Sequence, residues 1–234
     1  MSILENVGAI RQRITAAAHR AGRSANDIAL MAVSKTHPPE SIREAHAAGL
    51  RLFGENRVQE FAAKAAALAD LAGAEWHMIG HLQSNKAGKA VELFSAVDSV
   101  DAVKLAEKLD AAARSTGKKM VVLIEINVGG EAAKSGVAPD SRELEELLLA
   151  TPRLEALQLR GLMTVPPFAD DPEDARPYFH KLRELRDAIA ARKLPAVNMD
   201  VLSMGMSHDF EVAIEEGSTC IRVGTAIFGE RVQQ

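Results

Sequence analysis

Several polar residues stand directly after apolar runs, where an alternating strand–helix chain gathers its chemistry. Lys35 follows the run 28–33, in Val33-Ser34-Lys35-Thr36-His37. A lysine in that place is partly desolvated, which favours the neutral amine. A neutral amine forms a Schiff base with an aldehyde. Ser203, Gly205, Met206 and Ser207 follow the run 199–202, and Gly224 and Thr225 follow the run 219–223. Gly205 allows close backbone approach, two hydroxyls flank it, and the helix that comes next opens with unspent N–H groups. Either loop alone reads as a helix cap or a turn of the chain. Coming after two consecutive runs, they read together as a phosphate grip.

A phosphate grip changes the reading of Lys35. From position alone it is a surface lysine at a rim. Facing the same mouth as a phosphate site, it points to a phosphorylated aldehyde, of which pyridoxal 5'-phosphate (PLP) is the common one. Arg222 lies two residues before Gly224, so on a strand both point the same way. A buried arginine must find an acceptor. That acceptor is either a neighbouring carboxylate or the pyridine nitrogen of PLP, which it would leave unprotonated. Asn56 and His81, after the second and third runs, either line the cofactor or make ordinary loop hydrogen bonds. His77 and His81 are four apart but lack the glutamate and the helix of a zinc motif. Lys134 reads as a rim charge or an entrance residue, and Cys220 as a small core residue.

The elements that must position these groups are legible as a repeat. Eight short apolar runs, 28–33, 50–53, 76–79, 94–97, 120–126, 157–164, 199–202 and 219–223, alternate with amphipathic stretches such as 39–48, 57–71, 102–115, 141–149 and 173–191. Near-continuous apolar runs are expected of parallel strands covered on both faces. Glycines at 22, 49, 73 and 117 close helical stretches. A helical stripe over the first 20 residues precedes the first run. Strand then helix, repeated eight times, predicts a single closed (β/α)8 TIM-type barrel with an extra N-terminal helix. The alternative, an open doubly wound sheet, usually carries a glycine-rich phosphate turn after its first strand, and none is present.

Composition narrows the function. The chain has 234 residues, a net charge of -4, 47% hydrophobic residues and one cysteine. One cysteine excludes a disulfide framework and a cysteine-based zinc module. The mild acidity argues against a protein built to bind nucleic acid. No run approaches the ~20 apolar residues that span a bilayer, and the first 20 residues lack the unbroken stretch of a signal peptide. A cytoplasmic protein is expected, with no nucleic-acid or membrane partner.

The segments AVSKT at 32–36, FGENRVQE at 53–60, WHMIGHLQSNK at 76–86, KSG at 134–136, GLMT at 161–164, LSMGMSHDF at 202–210 and RVGTAIFG at 222–229 span nearly the whole chain. Through them the sequence resembles the PLP homeostasis protein family. Met78 in place of the more usual Phe is conservative. The resemblance implies one barrel domain over residues 1–234, like the N-terminal domain of alanine racemase. It implies PLP on Lys35, phosphate contacts from the 203–207 segment with Gly224 and Thr225, Arg222 facing the ring nitrogen, and Asn56 near the cofactor. It also implies PLP homeostasis without defined turnover. PLP-dependent apoenzymes as recipients and a monomeric state are separate expectations. The competing reading is a PLP-dependent racemase or lyase of small amino acids. A racemase needs a second acid/base group opposite the lysine, supplied in the racemases by a tyrosine of a β-rich domain. The sequence stops at Gln234 and its one tyrosine, Tyr178, is expected on the helix after strand six, so that group is expected to be missing. A metal-dependent barrel hydrolase using His81, His208, Asp209 or Asp98 is the weakest reading, because no ligand spacing recurs.

Overall fold

The structure is a computed structural model that describes residues 2–131 and 135–230. Eight parallel strands close into a barrel in chain order: β1 Ala29–Val33, β2 Leu52–Glu55, β3 Glu75–Met78, β4 Ala96–Val100, β5 Met120–Glu125, β6 Leu157–Met163, β7 Val197–Ser203 and β8 Cys220–Val223. After β1 through β8 come α2 Pro39–Ala47, α3 Val58–Ala65, α4 Ala87–Leu93, α5 Val103–Ser115, α6 Arg142–Ala150, α7 Arg176–Ala191, α8 Phe210–Glu215 and α9 Thr225–Phe228. The expected barrel is therefore present, and β8 pairs with β1 with Met31 opposite Arg222 to close it. No helix among the described residues is long and apolar enough to cross a membrane.

The leading helix, α1 Ile3–Arg20, begins at a capping box in which Ser2 and Glu5 satisfy each other's backbone N–H groups. Val7, Ile10, Ile14, Ala17 and Ala18 recur at helical spacing and are buried. Its polar face is tied to α8 by Arg13–Glu211 and Arg20–Glu215 at 2.8 and 2.7 Å. Asn6 donates to the Ile227 carbonyl of α9 at 2.9 Å. The extra helix thus seals the seam where the last strand–helix unit meets the first.

Two strands begin two residues later than the apolar runs predict: β2 starts at Leu52 rather than 50, and β4 at Ala96 rather than 94. Leu50 and Phe94 are buried, but each closes a helix: Leu50 N–H reaches back to the Ala45 carbonyl of α2, and Phe94 caps α4. A buried capping residue and a strand residue look alike in a hydropathy pattern. The shift matters, because it places Glu55 and Asp98 on strands, both buried.

Val122 and Ile124 face the helical layer, lining a small gap with Ala106 of α5 and Leu147 of α6. Alternation then turns Leu123 and Glu125 into the barrel. Phe53 of β2 stacks on Trp76 of β3 at 4.8 Å, and Phe61 of α3 contacts Trp76 at 4.6 Å and Phe94 at 5.1 Å. Burying each such ring contributes roughly 1.5–3 kcal/mol, which fixes α3 against β2 and β3.

Candidate functional site

The C-terminal ends of β7, β8 and β1, three neighbours in the closed barrel, carry the polar groups singled out in the sequence. Lys35 follows β1, half-buried, between fully buried Ser34 and exposed Thr36. Thr36 has φ +66°, a left-handed conformation that a β-branched residue adopts only under constraint. Gly224 lies against this strand end: a Cβ placed on it would stand 3.5 Å from the Val33 carbonyl oxygen.

The two loops expected to form one phosphate site are joined by Ser207. Its Oγ accepts from the backbone N–H of Gly224 at 3.2 Å and of Ala226 at 3.4 Å. Two N–H groups at the start of α9 therefore already converge on one oxygen. The 203–207 loop is shaped from below. Asp209 accepts from the Met206 N–H at 2.6 Å, and Gly205 accepts from the Arg222 N–H at 2.9 Å. Gly205 has φ +95°, and a Cβ on it would meet that of Ala213 at 2.6 Å, so no other residue fits. Burial raises the Asp209 pKa, with the Met206 N–H pulling the other way. Ser203 and Gly205 are buried, Met206 and Ser207 are half-buried, and Thr225 is exposed at the start of α9.

Arg222 projects from β8 on the same face as Gly224. It donates from Nη1 to Ser203 Oγ at 2.7 Å and from Nη2 to the Thr164 carbonyl at 2.6 Å. Its hydrogen bonds go to a hydroxyl and a carbonyl rather than to a carboxylate. Burial lowers its pKa, opposed by the charges of Asp98, Asp209 and Glu125 and by Cys220. Those two acceptors hold the guanidinium rigidly inside the mouth without neutralising it.

Glu125, at the end of β5, was not foreseen as a site residue. It is 8% exposed, and its Oε2 has no hydrogen-bond partner among the described residues. Burial, then the charge of Asp101, push its pKa up to about 7, against the pull of Arg222 and His81. A glutamate closing an otherwise apolar run was the available signal. Behind it, His77 of β3 sits 3.1 Å from Asp98 of β4. Burial opposes the His77 charge, but Asp98 outweighs it and the pKa lies above the ordinary value.

Asn56 and His81 come together beside the mouth. Both line a depression of about 470 Å³ with Arg57, Gln59, Gln83 and Lys86. Gly80 makes this approach possible, since a Cβ on it would stand 2.5 Å from the Asn56 carbonyl oxygen. His81 Nδ1 lies 3.3 Å from Asp101. The structure thus groups Asn56 with His81, and Lys35 with the β7 and β8 loops. His208 reaches the Asp170 carbonyl at 2.9 Å, and no three His, Cys, Asp or Glu side chains gather as a metal set among the described residues. Lys134 lies outside the described residues.

Comparison with known proteins bears on the family and the fold. The family described as alanine racemase, N-terminal domain, matches residues 6–232. The pyridoxal phosphate homeostasis protein of Aquifex aeolicus is 49% identical over 232 residues, 99% of each chain. The structure of PipY from Synechococcus elongatus with PLP bound superposes with a TM-score of 0.84 at 38% identity, covering 97% of this chain and 100% of that one. Alanine racemase from Streptomyces coelicolor shares the fold at TM-score 0.70 and 23% identity, over 96% of this chain and 58% of the racemase. With a barrel of this topology and near full-length identity to such relatives, the chain belongs to the pyridoxal phosphate homeostasis protein family, on the fold of the alanine racemase N-terminal domain.

Proposed function

We propose that residues 1–234 form one PLP-binding barrel domain that carries the cofactor for intracellular PLP homeostasis rather than turning over a substrate. The observation that carries the reading is the convergence, on β7, β8 and β1, of Ser207 with two backbone N–H groups, Arg222, and Lys35. The residues present fit the cofactor. Gly224 and Ala226 N–H groups already point at one oxygen, as a phosphate oxygen requires. Bound there, the cofactor offers an aldehyde carbon that a neutral primary amine captures with loss of one water. Ser203, Gly205, Met206, Ser207, Gly224 and Thr225 hold the phosphate, Asn56 and His81 border the ring, and Arg222 donates to its nitrogen. A ring nitrogen facing an arginine stays unprotonated and makes a weak electron sink. Cytoplasmic location, a monomeric state and PLP-dependent apoenzymes as recipients complete the reading.

The phosphate grip is tested by Ser207→Ala with Thr225→Ala. Each hydrogen bond to a charged group is worth roughly 1.5–3 kcal/mol, so PLP binding in a fluorescence titration is expected to weaken at least about tenfold. Unchanged affinity places the phosphate elsewhere.

The carrier reading is tested with PLP-loaded protein and D- or L-alanine or serine in deuterated water. The sequence's one tyrosine, Tyr178, sits on α7. Chiral analysis is expected to find no racemisation near the ordinary enzyme range of ~1 s⁻¹ or faster. Turnover at that rate makes the chain a racemase or lyase. Exchange at the α-carbon without racemisation identifies a single working base.

A further inference from the structure

The strand end that carries Lys35 is held from behind by buried charges that the cofactor reading leaves unexplained. Glu55 ends β2 on the face of Phe53, toward the helical layer, and is 0% exposed. Lys64, on α3, inserts between it and the 34–37 turn. Its Nζ lies 2.8 Å from Glu55 Oε1 and 3.3 Å from Glu60 Oε1. The same Nζ donates to the Ser34 carbonyl at 3.0 Å and the His37 carbonyl at 3.4 Å. Ser34 Oγ donates to Glu55 Oε1, and the Thr36 N–H donates to Glu60 Oε1. Ser34, Thr36 and His37 are thus all bonded to this charged cluster, through backbone or side chain.

Two physical points raise this above ordinary packing. Burying ions costs desolvation that hydrophobic residues of the same volume would not incur, so such a cluster is weak as a stability device. Glu55 Oε2 is left without a partner among the described residues, which adds to that cost. Second, Thr36 is held left-handed at φ +66°, and such strain persists only where surrounding contacts over-determine it. The cluster provides those contacts on both sides of Lys35.

We propose that Lys64, Glu60 and Glu55 are positioning residues that lock the 34–37 backbone so that the Lys35 amine meets an incoming aldehyde in a reactive geometry. The inference rests on Lys35 as the attachment point. In that step the Lys35 nitrogen bonds to the aldehyde carbon and the aldehyde oxygen leaves as water, with no oxidant or reductant needed. Glu60 acts on the turn through Thr36, Lys64 through the two carbonyls, and Glu55 by holding Lys64 and Ser34.

The test separates capture from binding. Covalent capture is read as the rate at which PLP becomes fixed to the peptide holding Lys35 after borohydride quenching. Binding is read as affinity for 4'-deoxypyridoxine 5'-phosphate, which has the ring and phosphate but no aldehyde. Glu60→Ala is expected to slow capture by about tenfold or more, since small misplacements of reacting groups carry penalties up to ~100-fold. Its affinity for the deoxy analogue is expected to stay within about twofold of the starting protein, less than the tenfold that 1.4 kcal/mol represents. Glu60→Gln keeps an acceptor for the Thr36 N–H and is expected to recover most of the rate. Lys64→Met with Glu55→Gln, which leaves no lone buried charge, is expected to slow capture in the same way. Capture at the starting rate in Glu60→Ala, or equal loss of capture and analogue binding, overturns the proposal. If the unmodified protein fixes no PLP on Lys35, the attachment reading and the clamp fall together.

Discussion

Lys35→Ala is expected to abolish borohydride-fixable PLP altogether, while the unmodified protein yields labelled cofactor on the peptide containing Lys35. The protein should also lose its absorption near the edge of the visible. The effect is the largest expected, because Lys35 is the lysine that follows β1, beside the β7 and β8 loops. Lys64, the nearest described alternative on α3, is spent on Glu55, Glu60 and two carbonyls, with 9% of its side chain exposed. Its Nζ is committed to those four partners. What remains in Lys35→Ala is the phosphate grip of Ser207, Gly224 and Ala226 and the Arg222 contact. Several charge-assisted hydrogen bonds of roughly 1.5–3 kcal/mol each keep a reversible, analogue-like affinity. Label that maps to another lysine in the unmodified protein removes Lys35 from its role.

Much of this site was legible because its parts follow strands, and strand ends are marked by an abrupt change from apolar to polar. Lys35, Ser203, Ser207, Arg222 and Gly224 all stand at such changes, and β7, β8 and β1 bring them together. The barrel itself followed from the eight alternations, and its closure from the absence of a glycine-rich turn. What the pattern could not resolve were residues whose role depends on which face they take. Glu55 was placed beyond its strand, because the run 50–53 began with a helix-capping Leu50. Its pairing with Lys64 crosses from strand to helix, and no spacing rule connects positions nine apart in different elements. Asn56 and His81 read from the sequence as either cofactor lining or loop hydrogen bonding, and they share a depression with Arg57 and Lys86. Loop residues are set by tertiary contacts such as Gly80 against Asn56, which hydropathy does not encode.

Glu125 leads to the second large effect, a pH dependence of stability in ligand-free protein. Burial and the Asp101 charge push its carboxyl up to about 7 from an ordinary 4.5, with Arg222 and His81 pulling the other way. The folded state therefore holds a proton that the unfolded chain releases. Stability from this group is fully present below about 4.5 and is lost as pH rises through about 7, with no further change above. At roughly 1.36 kcal/mol for each pH unit between 4.5 and about 7, the cost at pH 8 is on the order of 3 kcal/mol. Glu125→Gln removes the ionisation while keeping the shape of the side chain. It is expected to raise the melting temperature at pH 8 by about 5–10 °C, since ~1 kcal/mol moves a chain of this size by roughly 2–4 °C. At pH 4.5 the two proteins should melt together, because there the glutamate is protonated in the fold. A gain of the same size at both pH values assigns the effect to packing, and no gain at pH 8 shows that Glu125 is not held as an acid.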